Sequence, residues 1–132
     1  MTGMNNLFTI FIVGMGGFIG SILRYLLSKI FQKFSITFPH GTLWANFLGC
    51  LLLGVVIAIA TETESISPST RLFLATGVCG GFTTMSSFTY ETFRFFQDSQ
   101  YLYGIGYLSI TIVGCIILFG AGLFGTKLLL KV

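Results

Sequence analysis

The chain has 132 residues, 54% of them hydrophobic and 8% charged, with a formal net charge of +3. A soluble domain carries charge on about a quarter of its residues, so this composition excludes one. The small positive excess includes no basic run suited to nucleic acid, and none is expected as a partner.

Four stretches, residues 7–23, 41–61, 72–90 and 99–126, contain no Asp, Glu, Lys or Arg. A spanning helix needs about 20 apolar residues, which each stretch supplies or nearly supplies. The expected architecture is therefore an all-α integral membrane protein. It is a single unit over residues 1–132, with four transmembrane helices at roughly 5–33, 41–61, 69–97 and 101–128. No Lys or Arg precedes the first stretch and no small-x-small site follows it, so the first helix is read as retained rather than as a signal peptide. Cys50, Cys79 and Cys115 all fall within spans without paired metal-ligand spacing, and His40 is the sole histidine. Zinc and redox chemistry are not expected.

In the first span, Gly16 and Gly20 lie four apart and form a close-packing face. Arg24 follows, and two readings stand: a side chain snorkelling to the headgroups, or an anion-attracting charge at a pore mouth. Pro39-His40-Gly41 is a turn. Trp44 of the second span suits an interfacial anchor, and Asn46 lies about one turn into the span. Thr42, Asn46, Gly49 and Cys50 fall on one helical side as a mildly polar stripe. Asn46 serves either an interhelical hydrogen bond or a polar site.

Ser67-Pro68-Ser69 reads as the start of the third helix. Residues 77–91, GVCGGFTTMSSFTYE, then depart from any lipid-facing pattern. Gly77, Gly80 and Gly81 favour bends, and Thr83, Thr84, Ser86, Ser87 and Thr89 crowd hydroxyls behind them. Irregular backbone survives in a bilayer only inside protein or beside a water-filled cavity. The segment is therefore read as an interrupted helix lining a polar site, against the plainer alternative of a small-residue helix contact. Thr84, Ser87 and Glu91 share a face, with Glu91 either a solvated helix-end charge or part of the site. In the fourth span Tyr107, Thr111 and Cys115 make a second polar stripe, while Gly114, Gly120, Gly122 and Gly125 suggest close packing.

Four spans put both termini on one side, with Arg71, Lys127 and Lys131. Arg24, Lys29, Lys33 and Arg94 fall on the other. This near-even balance gives almost no positive-inside bias, which suits insertion in both orientations and assembly as an antiparallel pair.

The motifs GMGGFIGSILRY, GTLWANFLG and GVCGGFTTMSSFTYE, in this order, resemble the Fluc (CrcB) fluoride channel family over nearly the full length. The resemblance implies a four-helix subunit of an antiparallel, dual-topology dimer in the bacterial cytoplasmic membrane. Such a dimer holds two fluoride pathways and exports fluoride passively, giving resistance. The implied partner is a second copy of the chain, and the near-even charge count leaves a paralogous chain open as the alternative. Asn46 is implied to be a pore amide and Phe88 a pore aromatic, with Met85 replacing the other aromatic of the pair. Thr84, Ser87 and Thr111 are implied to form a hydroxyl track, which Tyr107 extends along the same stripe. Carbonyls of Gly80 and Thr83 from both subunits are implied to hold a structural sodium ion at the dimer interface. Fluoride needs hydrogen-bond donors to replace its water, and amide, hydroxyl and ring-edge groups provide them without a fixed counter-charge. A proton-coupled small multidrug exporter would need an acidic residue in the first helix, which has none; a non-transporting assembly subunit would use the stripes as packing only. No nucleophile–base pair or cofactor loop points to an enzyme.

Overall fold

The computed structural model describes residues 3–34 and 37–131, which form helices joined by short turns. Helix α1 is Gly3–Gln32 and α2 is His40–Glu62. Helix α3 covers residues 68–82, α4 is Met85–Gln97 and α5 is Tyr101–Leu130. Helices α1, α2 and α5 are each long and apolar enough to cross a bilayer. The third segment is divided into α3 and α4, so the fold is an all-α, four-helix membrane bundle with a broken third member.

The start of α3 follows from its sequence. Ser67 Oγ accepts the Thr70 N–H at 3.1 Å, and Pro68 occupies the first helical position, where a missing N–H costs nothing. After one α-turn, Leu72–Cys79 adopts the wider π register, a rare arrangement that concentrates at functional sites. The α register returns at Gly80–Phe82. Thr83 (φ −82°, ψ 157°) and Thr84 (φ −151°, ψ 116°) are then extended, and α4 begins at Met85.

The interruption falls on two threonines rather than on the glycines expected to cause it. Gly80 is helical, and among the described residues no glycine has positive φ. Gly77 and Gly81 serve approach instead, while a Cβ on Gly80 would meet only the Ala75 carbonyl, at 3.9 Å. A Cβ on Gly77 would lie 2.8 Å from the Gly16 Cα, and one on Gly81 would lie 2.5 Å from the Gly17 carbonyl. Gly20 likewise abuts the Val78 carbonyl and the Phe82 nitrogen. The close-packing face expected at Gly16 and Gly20 is thus the α1–α3 seam, backbone against backbone.

Helices α2 and α5 pair along their length. Gly54 meets the backbone of Phe119 and Leu123, Gly122 meets that of Leu51, and Gly114 receives the Phe47 ring. Gly120 and Gly125 lie outside this seam: a Cβ on Gly125 would meet nothing within 4 Å, and one on Gly120 only Phe124 of the same helix. Close packing at those two positions is therefore not found within the subunit. At the end holding the chain termini, Lys127 Nζ and Glu62 Oε1 form an ion pair at 2.9 Å. Buried Leu43, Phe88, Phe95 and Tyr107 form the core, flanked by Phe38 and Phe47. Phe8, Phe18, Ile117 and Leu128 are among many large apolar side chains pointing outward. In water such a surface would drive aggregation; hydrocarbon solvates it.

Gly77→Ala should destabilise the protein by about 1–3 kcal/mol, because backbone cannot yield to the new methyl. Gly14→Ala, where a Cβ meets nothing within 4 Å, should change stability little. Thermal unfolding in detergent compares the two.

Candidate functional site

Of the two extended residues, Thr84 has an N–H and a carbonyl that the neighbouring helical turns do not satisfy. Asn46 of α2 supplies their partners. Its Oδ1 accepts the Thr84 N–H at 2.7 Å, and its Nδ2 donates to the Thr84 carbonyl at 3.2 Å. One carboxamide thus pairs with both polar groups of one residue across 38 positions of sequence. Gly49, one turn along the same stripe, gives the Thr83 methyl its space. The stripe read in the second span therefore faces the break.

The threonines complete the accounting. Thr83 N–H and Thr83 Oγ1 both donate to the Cys79 carbonyl, at 3.0 and 3.1 Å, closing α3. Thr84 Oγ1 caps α4 by accepting the Ser87 N–H at 3.2 Å and donates to Ser87 Oγ at 3.2 Å. Thr89 and Thr92 return their hydroxyls to the carbonyls of Met85 and Phe88. Of the crowded hydroxyls, only the Thr84–Ser86–Ser87 group clusters at the break itself.

These diversions have a consequence for two carbonyls. In a continuous helix the Thr84 N–H would return to Gly80, and the Ser87 N–H to Thr83. Here the first goes to Asn46 and the second to the Thr84 hydroxyl. The Gly80 and Thr83 oxygens are released from helical bonding, and both are hard, neutral donors.

Beyond the break, Glu91 is held by two hydroxyls. Its Oε1 accepts from Thr42 Oγ1 and its Oε2 from Tyr107 OH, each at 2.7 Å. This joins α2, α4 and α5 at one carboxylate, so Glu91 is a bridging residue rather than a freely solvated helix end. Tyr107 is 1% exposed, with its ring 5.2 Å from that of Phe88. Thr111, one turn further along α5, is 4% exposed, and its Oγ1 has no hydrogen-bond partner among the described residues. An open cavity of about 740 Å³ leads to this region and is lined in part by His40, Thr42, Ser87, Glu91, Arg94 and Asp98.

The structure thus brings Asn46, Thr84, Ser87, Phe88 and Tyr107 into the region between α2, α4 and α5, with Thr111 buried one turn beyond Tyr107 on α5. Met85 stands apart, 71% exposed on the outer side of α4. Arg24 neither reaches open water alone nor lines the cavity. Its Nε donates to the Gly81 carbonyl at 3.2 Å.

Two features escaped the sequence reading. Phe95 packs in the same cluster as Phe88, its ring 6.0 Å from Tyr107. The seven-residue spacing of Phe88 and Phe95 on one helical face was the available signal. The Arg24–Gly81 bond had none, since it joins positions 57 apart. Among the described residues no group of three or more His, Cys, Asp or Glu is placed to hold a metal ion.

The fold and this polar seam define a small multi-pass membrane protein with an interrupted helix as its centre. The family model described as "CrcB-like protein, Camphor Resistance (CrcB)" matches residues 11–123, and the chain belongs to that family. It is similar to a protein of Chlorobium chlorochromatii named fluoride-specific ion channel FluC, with 42% identity covering 89% of this chain and 92% of the relative. A Leptospira interrogans protein of the same name is 42% identical over 94% of this chain and 98% of its own. One from Sorangium cellulosum is 45% identical over 87% and 89%. Membrane-length helices and bacterial relatives together place the chain in the bacterial inner membrane.

Glu91→Gln replaces one acceptor oxygen with a donor, so one of the two hydroxyls loses its partner, at a cost of about 1–2 kcal/mol. Paired with Tyr107→Phe in a double-mutant cycle, the two changes should couple by about 0.5 kcal/mol or more in unfolding experiments.

Proposed function

We propose that the chain is a subunit of a passive, fluoride-selective channel that lets fluoride leave the cell and so confers resistance to it. Conduction makes and breaks no covalent bond, and the chain is not an enzyme. The observation that carries the reading is the Thr111 hydroxyl, buried and unpartnered in a chain whose relatives are named fluoride-specific channels. A buried hydroxyl without a partner costs about 1–3 kcal/mol, and a passing anion that accepts its proton removes that cost.

The pathway residues are Asn46, Thr84, Ser87, Phe88, Tyr107 and Thr111. A carboxamide nitrogen carries two protons, so Asn46 has one left after bonding Thr84, and that proton is the donor offered to fluoride. Hydroxyls and the positive ring edge of Phe88 continue the sequence of weak donors. None carries a fixed positive charge that would hold the ion too tightly, and conduction requires several moderate sites. The exposed position of Met85 supports a pathway shared between subunits, to which Met85 contributes from the outer side of its own α4.

The assembly is an antiparallel dimer, of two copies or with a paralogous chain; the near-even charge balance supports it. Sodium fits the break. The Gly80 and Thr83 oxygens, released from helical bonding, are donors of the kind that half-helix ends offer to sodium in transporters, and Gly80 lies on an exposed face available to a partner. When bound, the ion supplies positive charge that draws the two breaks together.

Vesicles containing only this chain should release fluoride far faster than chloride, and equal rates would overturn the reading. Asn46→Asp should cut fluoride efflux at least about tenfold, since it removes the amide donors and adds a like charge. Phe88→Ile should slow efflux more than Phe95→Ile, because Phe88 lies one turn into α4 and Phe95 three; the same assay decides.

A further inference from the structure

We propose that Arg24 is a positioning residue that clamps the end of α3, and that its work is not to attract anions from solution. The observation is the bond from Arg24 Nε to the Gly81 carbonyl, 3.2 Å long and partly buried. In an unbroken helix that carbonyl would accept the N–H of Met85. Met85 instead opens a new helix after two extended residues, so Gly81 would otherwise present an orphaned oxygen within the membrane.

The sequence around Arg24 explains why it reaches this atom. Gly16, Gly17 and Gly20 press α1 onto α3 at Gly77, Gly81 and Val78, leaving no room to slide. Arg24 is one turn beyond Gly20 on the same face, above the last turn of α3. A guanidinium there also meets the negative end of the α3 dipole. The break is therefore held from two sides. Asn46 of α2 grips Thr84, and Arg24 of α1 grips Gly81 three residues earlier.

The chemistry separates a clamp from an attractor. An attractor needs positive charge, which lysine keeps. A clamp needs a planar N–H at the Nε position, which lysine lacks. The clamp also bears on the cation site, an extension that rests on the sodium reading above. Gly80 adjoins Gly81, and fixing Gly81 holds the Gly80 and Thr83 oxygens in one arrangement.

The test uses full-length wild type, Arg24→Lys and Arg24→Gln, each purified and reconstituted. Amide hydrogen exchange over residues 83–87 and fluoride efflux at graded sodium, with N-methylglucamine as replacement, are the two readouts. Both variants should speed exchange at the break by about tenfold, the loss expected for a hydrogen bond to a charged group. Both should need severalfold more sodium for half-maximal efflux, whereas a general folding defect would lower efflux equally at every sodium concentration. Arg24→Lys matching wild type in both readouts, while Arg24→Gln slows efflux, would overturn the clamp in favour of an attracting charge. If wild type shows no sodium dependence, the sodium reading fails, and exchange alone decides the clamp: unchanged exchange in Arg24→Lys overturns it. Should either variant fail to fold, the wild type answers by itself. The Arg24 Nε–H proton is expected to exchange slowly by nitrogen-15 NMR, and exchange at the solvent rate refutes the bond.

Discussion

Hydrocarbon offers no hydrogen bonds, so a chain that interrupts a helix there must satisfy the freed backbone from its own side chains. In this protein the requirement falls largely on one carboxamide. Asn46 accepts from and donates to the backbone of Thr84, as a neighbouring strand would. The remaining arrangement serves that contact. Gly49 clears the space for Thr83, α2 is fixed against α5 through Gly54 and Gly122, and α1 is locked to α3 by facing glycines. Without the Asn46 bonds, the N–H and carbonyl of Thr84 would face hydrocarbon unpaired.

Two charged groups at the seam, Glu91 and Arg24, are engaged with neutral partners. Glu91 rests between two hydroxyls, and Arg24 on a carbonyl. Neither faces an opposite charge at close range, as a buried ion pair would. Desolvating two full charges costs several kcal/mol each, and their attraction often fails to offset it. Neutral donors and acceptors around single charges also leave the polar region without a strong fixed attraction for an ion. That is compatible with passage, and less so with tight storage.

Much of this was legible from residue order. Four charge-free stretches of bilayer length announced the class, and GVCGGFTTMSSFTYE announced an interruption. Helical spacing put Thr42, Asn46 and Gly49 on one side of α2, and Tyr107 and Thr111 on one side of α5. The assignment of causes was less legible. Glycine both bends chains and admits close neighbours, and composition does not separate the two uses. Only once Gly16 faced Gly77, and Gly17 faced Gly81, was the second use evident. The bend belongs to threonines, whose hydroxyls replace the lost helical bonds locally.

The order of residues by itself determined that this is a four-span membrane protein with a polar break in its third span, because bilayer thickness and helical period act along a single segment. Tertiary structure alone decided that Arg24 closes on Gly81, that Glu91 joins Thr42 to Tyr107, and that Phe95 packs with Phe88 through Tyr107. Hydrogen bonds and ring contacts depend on atoms brought within about 3–6 Å by separate helices. No rule acting along one helix fixes the rotation and height of the next.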